Sequence, residues 1–352
     1  MSISSNGALM FAPASALLVA DTDIPTTQLV ARELRQAFPV VETRIAAELF
    51  GAELGGRPLV ISRLCYPQFS WLPGYLERRR IRYAYFLDDN FWELTSETSP
   101  VLAQFFRHPE TVATLDAFVR GASVVIVWSQ RLGEYVRSRF PNARVEFVAP
   151  GFDVAKVLAL LEPRASQSTR SPNVVRVGYP STPKTSVTAL VVHIAENFLR
   201  KFGTEVVFDF IGWMPERLIG APNVVHHPWI GDYDAYLEFK ISRRWDIGMA
   251  PLMGTAFDGY KTSNKYREYG GCQVPAVYSR VSPFMESVRH HKTGLLVENE
   301  PEAWIAALEE LVASPSVRST IAQAAFDEIR LNYDLRITGR RFADVILHHI
   351  CA

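Results

Sequence analysis

Two lysines and a glutamate recur at helical spacing in the second half of the chain. Lys261, Lys265 and Glu268 are separated by four and three residues, so a helix from about Thr262 places them on nearly one side. The N–H groups and dipole of a helix start attract an anion, and the lysines add positive charge. The Glu268 carboxylate can accept hydrogen bonds from paired ribose hydroxyls. The stretch predicts a nucleotide phosphate site, although a solvated Lys–Glu pair has the same spacing.

The elements before this helix place it at the edge of a parallel sheet. Short apolar segments alternate with helical patterns in both halves, at 16–20, 59–61, 83–87, 124–127, 145–148, 174–177, 206–211, 247–250 and 276–278. Apolar strands separated by helices indicate parallel sheets covered on both faces. Because open α/β sheets bind ligands at the carboxyl ends of their strands, the helix after the 247–250 strand starts where a ligand is expected.

A polar, Ser-rich stretch bracketed by Pro163 and Pro172 interrupts this alternation. It predicts three segments: a first Rossmann-like domain over 1–162, a linker over 163–173, and a second domain with C-terminal helices over 174–352. The fold class is α/β, with two doubly wound Rossmann-like domains facing each other across a cleft and a helical C-terminal tail.

Composition narrows the function classes. The 352 residues carry 37 Lys plus Arg against 37 Asp plus Glu, so no overall field attracts nucleic acid. The three cysteines, Cys65, Cys272 and Cys351, fit a reducing compartment, which predicts a cytoplasmic protein. The apolar stretch from Ala8 to Ala20 lacks a basic flank and is too short for a membrane span, so we do not expect a signal peptide.

Several motifs in order resemble a known family. The segments 261–269, 274–277 and 293–297, with Gly271, Ser282-Pro283, Trp304 and Ala307-Leu308, are similar to the donor domain of glycosyltransferase family 4, within the group 1 enzymes of GT-B architecture. The resemblance covers about 174–333 well. It extends more loosely to 85–92, which contains an Asp-Asp pair before aromatics, and to 148–153. It implies sugar transfer from a nucleotide diphosphate sugar with retention of configuration.

The resemblance also implies roles for single residues. By position, Glu268 matches the ribose-binding glutamate, and the amides around Thr262, Ser263 and Asn264 match the diphosphate cradle. The turn from Gly178 to Lys184 matches the first donor loop, with Lys184 in the place of a phosphate-binding lysine. A surface lysine at a helix start is the alternative for Lys184.

One position departs from the family pattern. Eight residues before Glu268, where the family usually has an acidic residue that contacts the sugar, this chain has Tyr260. Either Asp258 substitutes or the sugar is held differently. Backbone contacts near Trp229 are expected to recognise the base.

Candidate catalytic residues lie in both halves. Asp88 and Asp89 follow a predicted strand and could orient an acceptor hydroxyl or take its proton, whereas capping of a helix is the alternative. Lys265, with Lys184 and the Thr262 helix start, would neutralise the departing diphosphate.

A basic segment suggests a membrane partner. Trp71 and Tyr75 run into Arg78, Arg79, Arg80 and Arg82. Aromatics beside basic residues suit an anionic membrane surface at the inner face, where a lipid-linked acceptor would be collected. A solvated helix end is the alternative interpretation.

Metal and redox chemistry are weakly indicated. Asp21-Thr22-Asp23 is a short acidic triplet of the kind that holds a divalent cation, but such triplets are common. Adjacent histidines such as His226-His227 point apart, so a pair of this kind does not chelate a metal ion. No Gly-x-Gly-x-x-Gly follows a strand, which argues against a nicotinamide enzyme. We therefore expect neither metal nor cofactor.

The prediction is a hexosyltransferase of polysaccharide biosynthesis that uses a glycan, a lipid-linked or a small-molecule acceptor. A catalytically inactive GT-B-like subunit that binds nucleotide or glycan is the alternative.

Overall fold

The computed structural model describes residues 13–49, 53–94, 100–162 and 174–351, which divide into two compact units. The first unit is built on a parallel sheet in the order β2-β1-β3-β4-β5-β6. Its elements are β1 (Ser15–Ala20), α1 (Pro25–Arg35), β2 (Val40–Ile45), β3 (Leu59–Ser62), α2 (Leu72–Arg78), β4 (Tyr83–Leu87), α3 (Pro100–Arg107), α4 (Pro109–Gly121), β5 (Val124–Val127), α5 (Gln130–Arg139) and β6 (Val145–Phe147).

The second unit contains another six-stranded parallel sheet, in the order β12-β11-β10-β7-β8-β9. Its elements are α6 (Val154–Leu161), β7 (Val175–Ser181), α7 (Thr188–Phe202), β8 (Val206–Gly212), β9 (Val224–His227), α8 (Tyr233–Ser242), β10 (Ile247–Ala250), α9 (Asn264–Gly271), β11 (Ala276–Ser279), α10 (Phe284–Ser287), β12 (Leu295–Val297), α11 (Pro301–Ala313) and α12 (Pro315–Asn332). A last helix, α13 (Leu335–Ile346), belongs to the first unit.

Helices cover both sheets, which is why the central strands are apolar on both faces. In the first unit Leu18 and Phe86 pack against Val30 of α1 and Phe342 of α13. In the second unit a corresponding cluster joins β8 and β10 to α7 and α11. Each fully buried side chain of this size contributes about 1.5–3 kcal/mol, so the two cores fix the sheets that carry the functional loops. The predicted doubly wound α/β class is confirmed.

Strand order changes direction once in each sheet. In the first sheet the chain goes from β1 to β2 and then returns to the other side of β1 with β3. In the second sheet it goes outward from β7 to β9 and returns beside β7 with β10. Ligands bind at the carboxyl ends of the strands at such reversals. Ligand sites are therefore expected in the loops after β7 and β10 and after β1 and β3.

The division between the units differs from the predicted boundaries. The chain passes from the first unit to the second between Gly151 and Phe152, and α13 returns to the first unit. The Phe152 ring packs directly against Gly271 of the second unit, since a Cβ built on Gly271 would lie 2.1 Å from the ring. Helix α13 packs on α1, with the Thr338 hydroxyl 3.1 Å from Glu33 Oε2. The predicted linker at 163–173 lies outside the described residues.

Among the described helices, none is both long enough and apolar enough to span a membrane.

Candidate functional site

Helix α9 starts at the carboxyl edge of the second sheet. It follows β10, whose neighbour β7 lies at the reversal of strand order, and the loop after β7 contains Lys184. The helix begins at Asn264, two residues after the predicted start at Thr262. Lys265 and Glu268 therefore lie on a helix at the expected sheet edge, as the spacing predicted.

Glu268 is the centre of a buried ionic cluster. Its Oε2 accepts a hydrogen bond from the Tyr236 hydroxyl at 2.8 Å and contacts the ammonium groups of Lys265 at 3.3 Å and Lys240 at 3.4 Å. Glu268 is 8% exposed and Lys240 only 2%. The solvated surface pair that the spacing also allowed is therefore wrong, because one carboxylate lies between two lysines inside the unit.

The charges around Glu268 decide its ionisation. Burial alone would raise the pKa of Glu268, but the positive charges of Lys265 and Lys240 and the Tyr236 hydrogen bond outweigh it and lower the pKa to about 2. Burial and the charge of Lys240 also lower the pKa of Lys265. Among the described residues, no hydrogen bond reaches Glu268 Oε1. At neutral pH the carboxylate is therefore ionised, and its Oε1 has no partner among the described residues.

The first turn of α9 offers two backbone donors. No described residue accepts a hydrogen bond from the N–H groups of Lys265 and Tyr266. The Asn264 N–H, in contrast, donates to the Thr262 carbonyl at 2.9 Å. Lys261 precedes the helix, with its ammonium 4.2 Å from the centroid of the Phe257 ring. Free amides at a helix start and a partly exposed lysine are groups that attract an anion.

The hydroxyl and amide side chains at this helix start serve the protein itself. Ser263 is buried, and its hydroxyl donates to the Pro283 carbonyl at 2.8 Å. The Thr262 hydroxyl and the side-chain Oδ1 of Asn264 both accept from the guanidinium of Arg267, at 2.8 and 2.7 Å. These side chains therefore hold the turn in shape, and a ligand would be bound by the backbone and lysines.

Gly178 does not lie in the predicted turn. Strand β7 continues to Ser181, so Gly178 is inside the strand, and a Cβ there would stand 1.9 Å from the Trp245 ring. Its carbonyl accepts from the Tyr269 hydroxyl at 3.0 Å. The glycine is required for packing of Trp245. Lys184, half-buried, lies in the loop that follows β7.

The residues considered for the sugar and the base occupy different surroundings. Asp258 is buried, and its Oδ2 accepts from the Thr255 N–H at 3.2 Å, so it closes its own turn. Tyr260 is half-buried at the end of that turn. Trp229 is 55% exposed, and its ring is 3.1 Å from the position of a Cβ on Gly212, at the carboxyl end of β8.

Asp88 lies at the corresponding edge of the first sheet, directly after β4. Its Oδ2 accepts from the Thr26 hydroxyl at 2.9 Å and from Arg63 Nη1 at 3.1 Å. Burial raises the pKa of Asp88, although the Arg63 charge opposes this effect. Its buried Oδ1 has no hydrogen-bond partner among the described residues. The Asp88 carboxylate is therefore held by one oxygen and unsatisfied at the other.

Asp89 is half-buried beside Asp88. Asn90 rather than either aspartate precedes the short helical turn at Phe91–Glu93, and no side chain caps that turn. The capping alternative therefore does not describe these aspartates.

Three residues of these clusters were not predicted. Tyr236 and Lys240 are four residues apart on α8, so they share a face, and Lys240 also lies 4.5 Å from the centre of the Tyr269 ring. A lysine at a position where the helix pattern calls for an apolar residue was the available signal. Arg63 adopts a left-handed φ of 59°, which no sequence pattern marks.

The described residues contain no group of three or more His, Cys, Asp or Glu side chains placed to hold a metal ion. In the Asp21–Asp23 triplet, Asp21 Oδ1 accepts from the Thr22 N–H at 2.9 Å. The Nε2 of His227 lies 3.0 Å from Asp209 in the second unit.

Comparison with known proteins gives a family match in the second half of the chain. Residues 171–314 match the family model of the glycosyl transferases group 1. The match lies in the second unit, whose sequence is therefore similar to that of the group 1 glycosyltransferases. The matched range also contains α9, Lys184, Tyr236 and Lys240, and thus every residue of the cluster around Glu268. Among curated protein sequences, none matches the chain.

Solved structures with the same fold are glycosyltransferases of GT-B architecture. Sucrose-phosphate synthase from Thermosynechococcus elongatus is 14% identical with a TM-score of 0.65, covering 95% of this chain and 98% of its own. HepE from Anabaena, solved in complex with UDP-glucose, is 15% identical with a TM-score of 0.65, covering 94% and 99%. A trehalose-6-phosphate synthase is 13% identical with a TM-score of 0.60, covering 92% and 78%. The resemblance and the GT-B fold predicted from the sequence are confirmed.

Proposed function

We propose that this glycosyltransferase moves a hexose from a nucleotide diphosphate sugar to its acceptor, with retention of configuration and without a metal ion, in the manner of family 4. The observation that carries the proposal is the environment of Glu268. Two lysines contact its Oε2 and lower its pKa, while its Oε1, near the start of α9, has no described partner. An ionised carboxylate suits ribose hydroxyls, and the adjacent amides and Lys265 suit the diphosphate.

In this proposal the second unit works mainly by positioning and charge. Negative charge grows on the diphosphate as the sugar leaves, and the α9 amides, Lys265 and Lys184 stabilise it. Lys261 and the exposed Trp229 border the same sheet edge. The trehalose-6-phosphate synthase neighbour was studied for glycosyl transfer with retention, which supports retention here. HepE binds UDP-glucose, which supports a nucleotide sugar donor.

The first unit would present the acceptor. Asp88, with a raised pKa and an unsatisfied Oδ1, could accept a proton from an acceptor hydroxyl, and Asp89 could orient it. We place the enzyme in the cytoplasm, in polysaccharide biosynthesis, with a glycan, lipid-linked or small-molecule acceptor. Contact of the 78–82 basic segment with the inner membrane face belongs to the same proposal.

A thermal-shift screen tests donor binding. Uridine, guanosine, adenosine and thymidine diphosphates are added in turn to the protein, and one of them should raise the unfolding temperature by mass action. The same nucleotide should fail to do so for Lys265→Ala. The Lys265 side chain is 30% exposed, and its loss leaves Glu268 paired to Lys240. Equal stabilisation of both proteins would refute the proposed site.

One observation favours an inactive nucleotide-binding subunit instead. Tyr260 replaces the expected acidic residue, and the buried Asp258 has its Oδ2 held by the Thr255 N–H of its own turn. Incubation with a panel of nucleotide sugars separates the two functions. Slow donor hydrolysis supports the enzyme, whereas binding without hydrolysis or transfer supports the subunit.

A further inference from the structure

A cavity lies at the edge of the first sheet opposite to Asp88. Its volume is about 450 Å³, within the range of small-molecule sites. The lining residues Pro58 and Arg82 directly precede β3 and β4, so the cavity is at the amino ends of the strands. Asp88 follows the carboxyl end of β4. The cavity is therefore separate from the edge where a doubly wound sheet binds its principal ligand.

The cavity is strongly basic. Arg57, Arg79, Arg80 and Arg82 line it, and none of the described lining residues is acidic. Arg57 also pairs with Glu42 at 2.6 Å, and the Arg79 guanidinium lies 5.7 Å from the Tyr75 ring centre. Even with Arg57 paired to Glu42, four arginines and no acidic lining residue give the cavity a positive potential that attracts an anion.

Arg80 occupies a position that favours glycine. Helix α2 ends in a turn in which the Ile81 N–H donates to the Leu76 carbonyl and the Arg80 N–H to the Glu77 carbonyl, both at 2.9 Å. Arg80 has the left-handed φ of 54° that this turn requires. Its side chain is exposed, and no described residue hydrogen-bonds to its guanidinium. Neither the turn nor an internal contact explains an arginine here, and strained backbone is concentrated at ligand sites.

We propose that this cavity binds a phosphate group, with Arg80 as its main contact and Arg57, Arg79 and Arg82 adding charge. The planar guanidinium donates two parallel hydrogen bonds to phosphate oxygens. The phosphate could belong to a small molecule in solution or to a lipid headgroup. Trp71 is 38% exposed, and its ring centre lies 5.8 Å from that of Tyr75. Exposed aromatics beside the arginines are what binding to a lipid headgroup would require.

Two variants separate a site from a general basic surface. Arg80→Gly removes the guanidinium and leaves glycine at a left-handed position, so the variant should unfold at the same temperature or higher. Arg78→Ala removes an equally exposed arginine of α2 that does not line the cavity. Both variants lose one charge, so any difference between them reports on the cavity.

Calorimetric titration with inorganic phosphate, at ionic strength held constant with chloride, gives the first measurement. Arg80→Gly should bind at least about tenfold more weakly than wild type, and Arg78→Ala within about twofold of it. Phosphate bound at the α9 site contributes equally to all three proteins, so the difference isolates the cavity. Equal binding by all three, or equal loss in both variants, would overturn the proposal.

Sedimentation with vesicles identifies the source. A lipid headgroup predicts that wild type sediments with vesicles of phosphatidylcholine and phosphatidylglycerol and that Arg80→Gly largely remains in solution. Arg78→Ala should lose only the smaller share that one basic residue of the 78–82 segment contributes at the surface. No sedimentation of any protein, with the calorimetric difference intact, identifies a soluble phosphate compound. Nucleoside diphosphate affinity should be unchanged in Arg80→Gly, so failure of this site and failure of the donor site are distinguishable.

Discussion

The two sheets place an aspartate and a glutamate at equivalent edges but surround them differently. Glu268 has two lysines and a tyrosine hydroxyl on one oxygen, and its pKa falls to about 2. Asp88 has one arginine and one threonine, and burial raises its pKa. The second unit therefore keeps a positive charge in excess, which suits a diphosphate. The first unit holds a balanced pair, which suits a hydroxyl and its proton.

The largest expected effect is on the Glu268 side of this comparison. Glu268→Ala leaves the buried Lys240 without a counter-charge and should lower the free energy of unfolding by about 3–5 kcal/mol in urea denaturation. Adding Lys240→Met should restore most of that stability. A single-variant loss below about 0.5 kcal/mol would mean that the pair behaves as an exposed one.

In calorimetric titration the double variant should bind nucleoside diphosphate about ten- to a hundredfold more weakly, because the contact to the ribose is missing. Unaltered affinity in this folded protein would refute the ribose role of Glu268.

The two carboxylates should respond to pH with opposite sign. The lowered pKa of Glu268 contributes stability above its ordinary pKa of 4.5 that is lost as the pH falls toward about 2, a change of about 3 kcal/mol. The raised pKa of Asp88 contributes stability that is present below 3.8 and declines as the pH rises through the higher folded value.

Urea unfolding of wild type, Glu268→Gln and Asp88→Asn between pH 3 and 7 measures both effects. The stability difference between wild type and Glu268→Gln should grow with pH from pH 3 to about 5, and that between wild type and Asp88→Asn should shrink. Parallel slopes would show that the two environments are alike.

On the Asp88 side, Asp88→Asn should slow donor hydrolysis about a hundredfold, because an amide cannot take a proton. This corresponds to about 3 kcal/mol of activation free energy or slightly less. Thr26→Val, which removes the hydrogen bond to Asp88 and a 3.5 Å contact with Arg63 Nη1, should cost about tenfold or less. A larger loss in Thr26→Val than in Asp88→Asn would assign Asp88 to structure instead of proton transfer.

The smallest expected effect is that of a chelator. Because lysines and helix amides balance the diphosphate charge in the proposal, hydrolysis should continue at the same rate in excess chelator. A strict need for magnesium or manganese, abolished in Asp21→Ala, would assign the diphosphate to a metal site.

The sequence predicted the central strands of both sheets but not three of the edge strands. The strands β2, β9 and β12 lie at the ends of their sheets, and β2 is buried at none of its positions. An edge strand has a paired neighbour on one side only and is partly in water, so its apolar pattern is weak. The predicted domain boundaries differ from the structure in placing α13 in the second domain. Its amphipathic pattern does not show which helix it packs on, and its partner α1 lies about 300 residues earlier in the chain.

What the sequence determined by itself is local. The apolar strands, the α/β alternation and the spacing of Lys265 and Glu268 on one helix follow from neighbours in the chain. They suffice for the fold class and for one side of the proposed donor site. Only the tertiary structure brought Lys240 to Glu268 across 28 residues and Arg63 to Asp88 across 25. The ionisation of each carboxylate depends on those distant charges and on burial, because electrostatic energy is set by distance in space and local polarity.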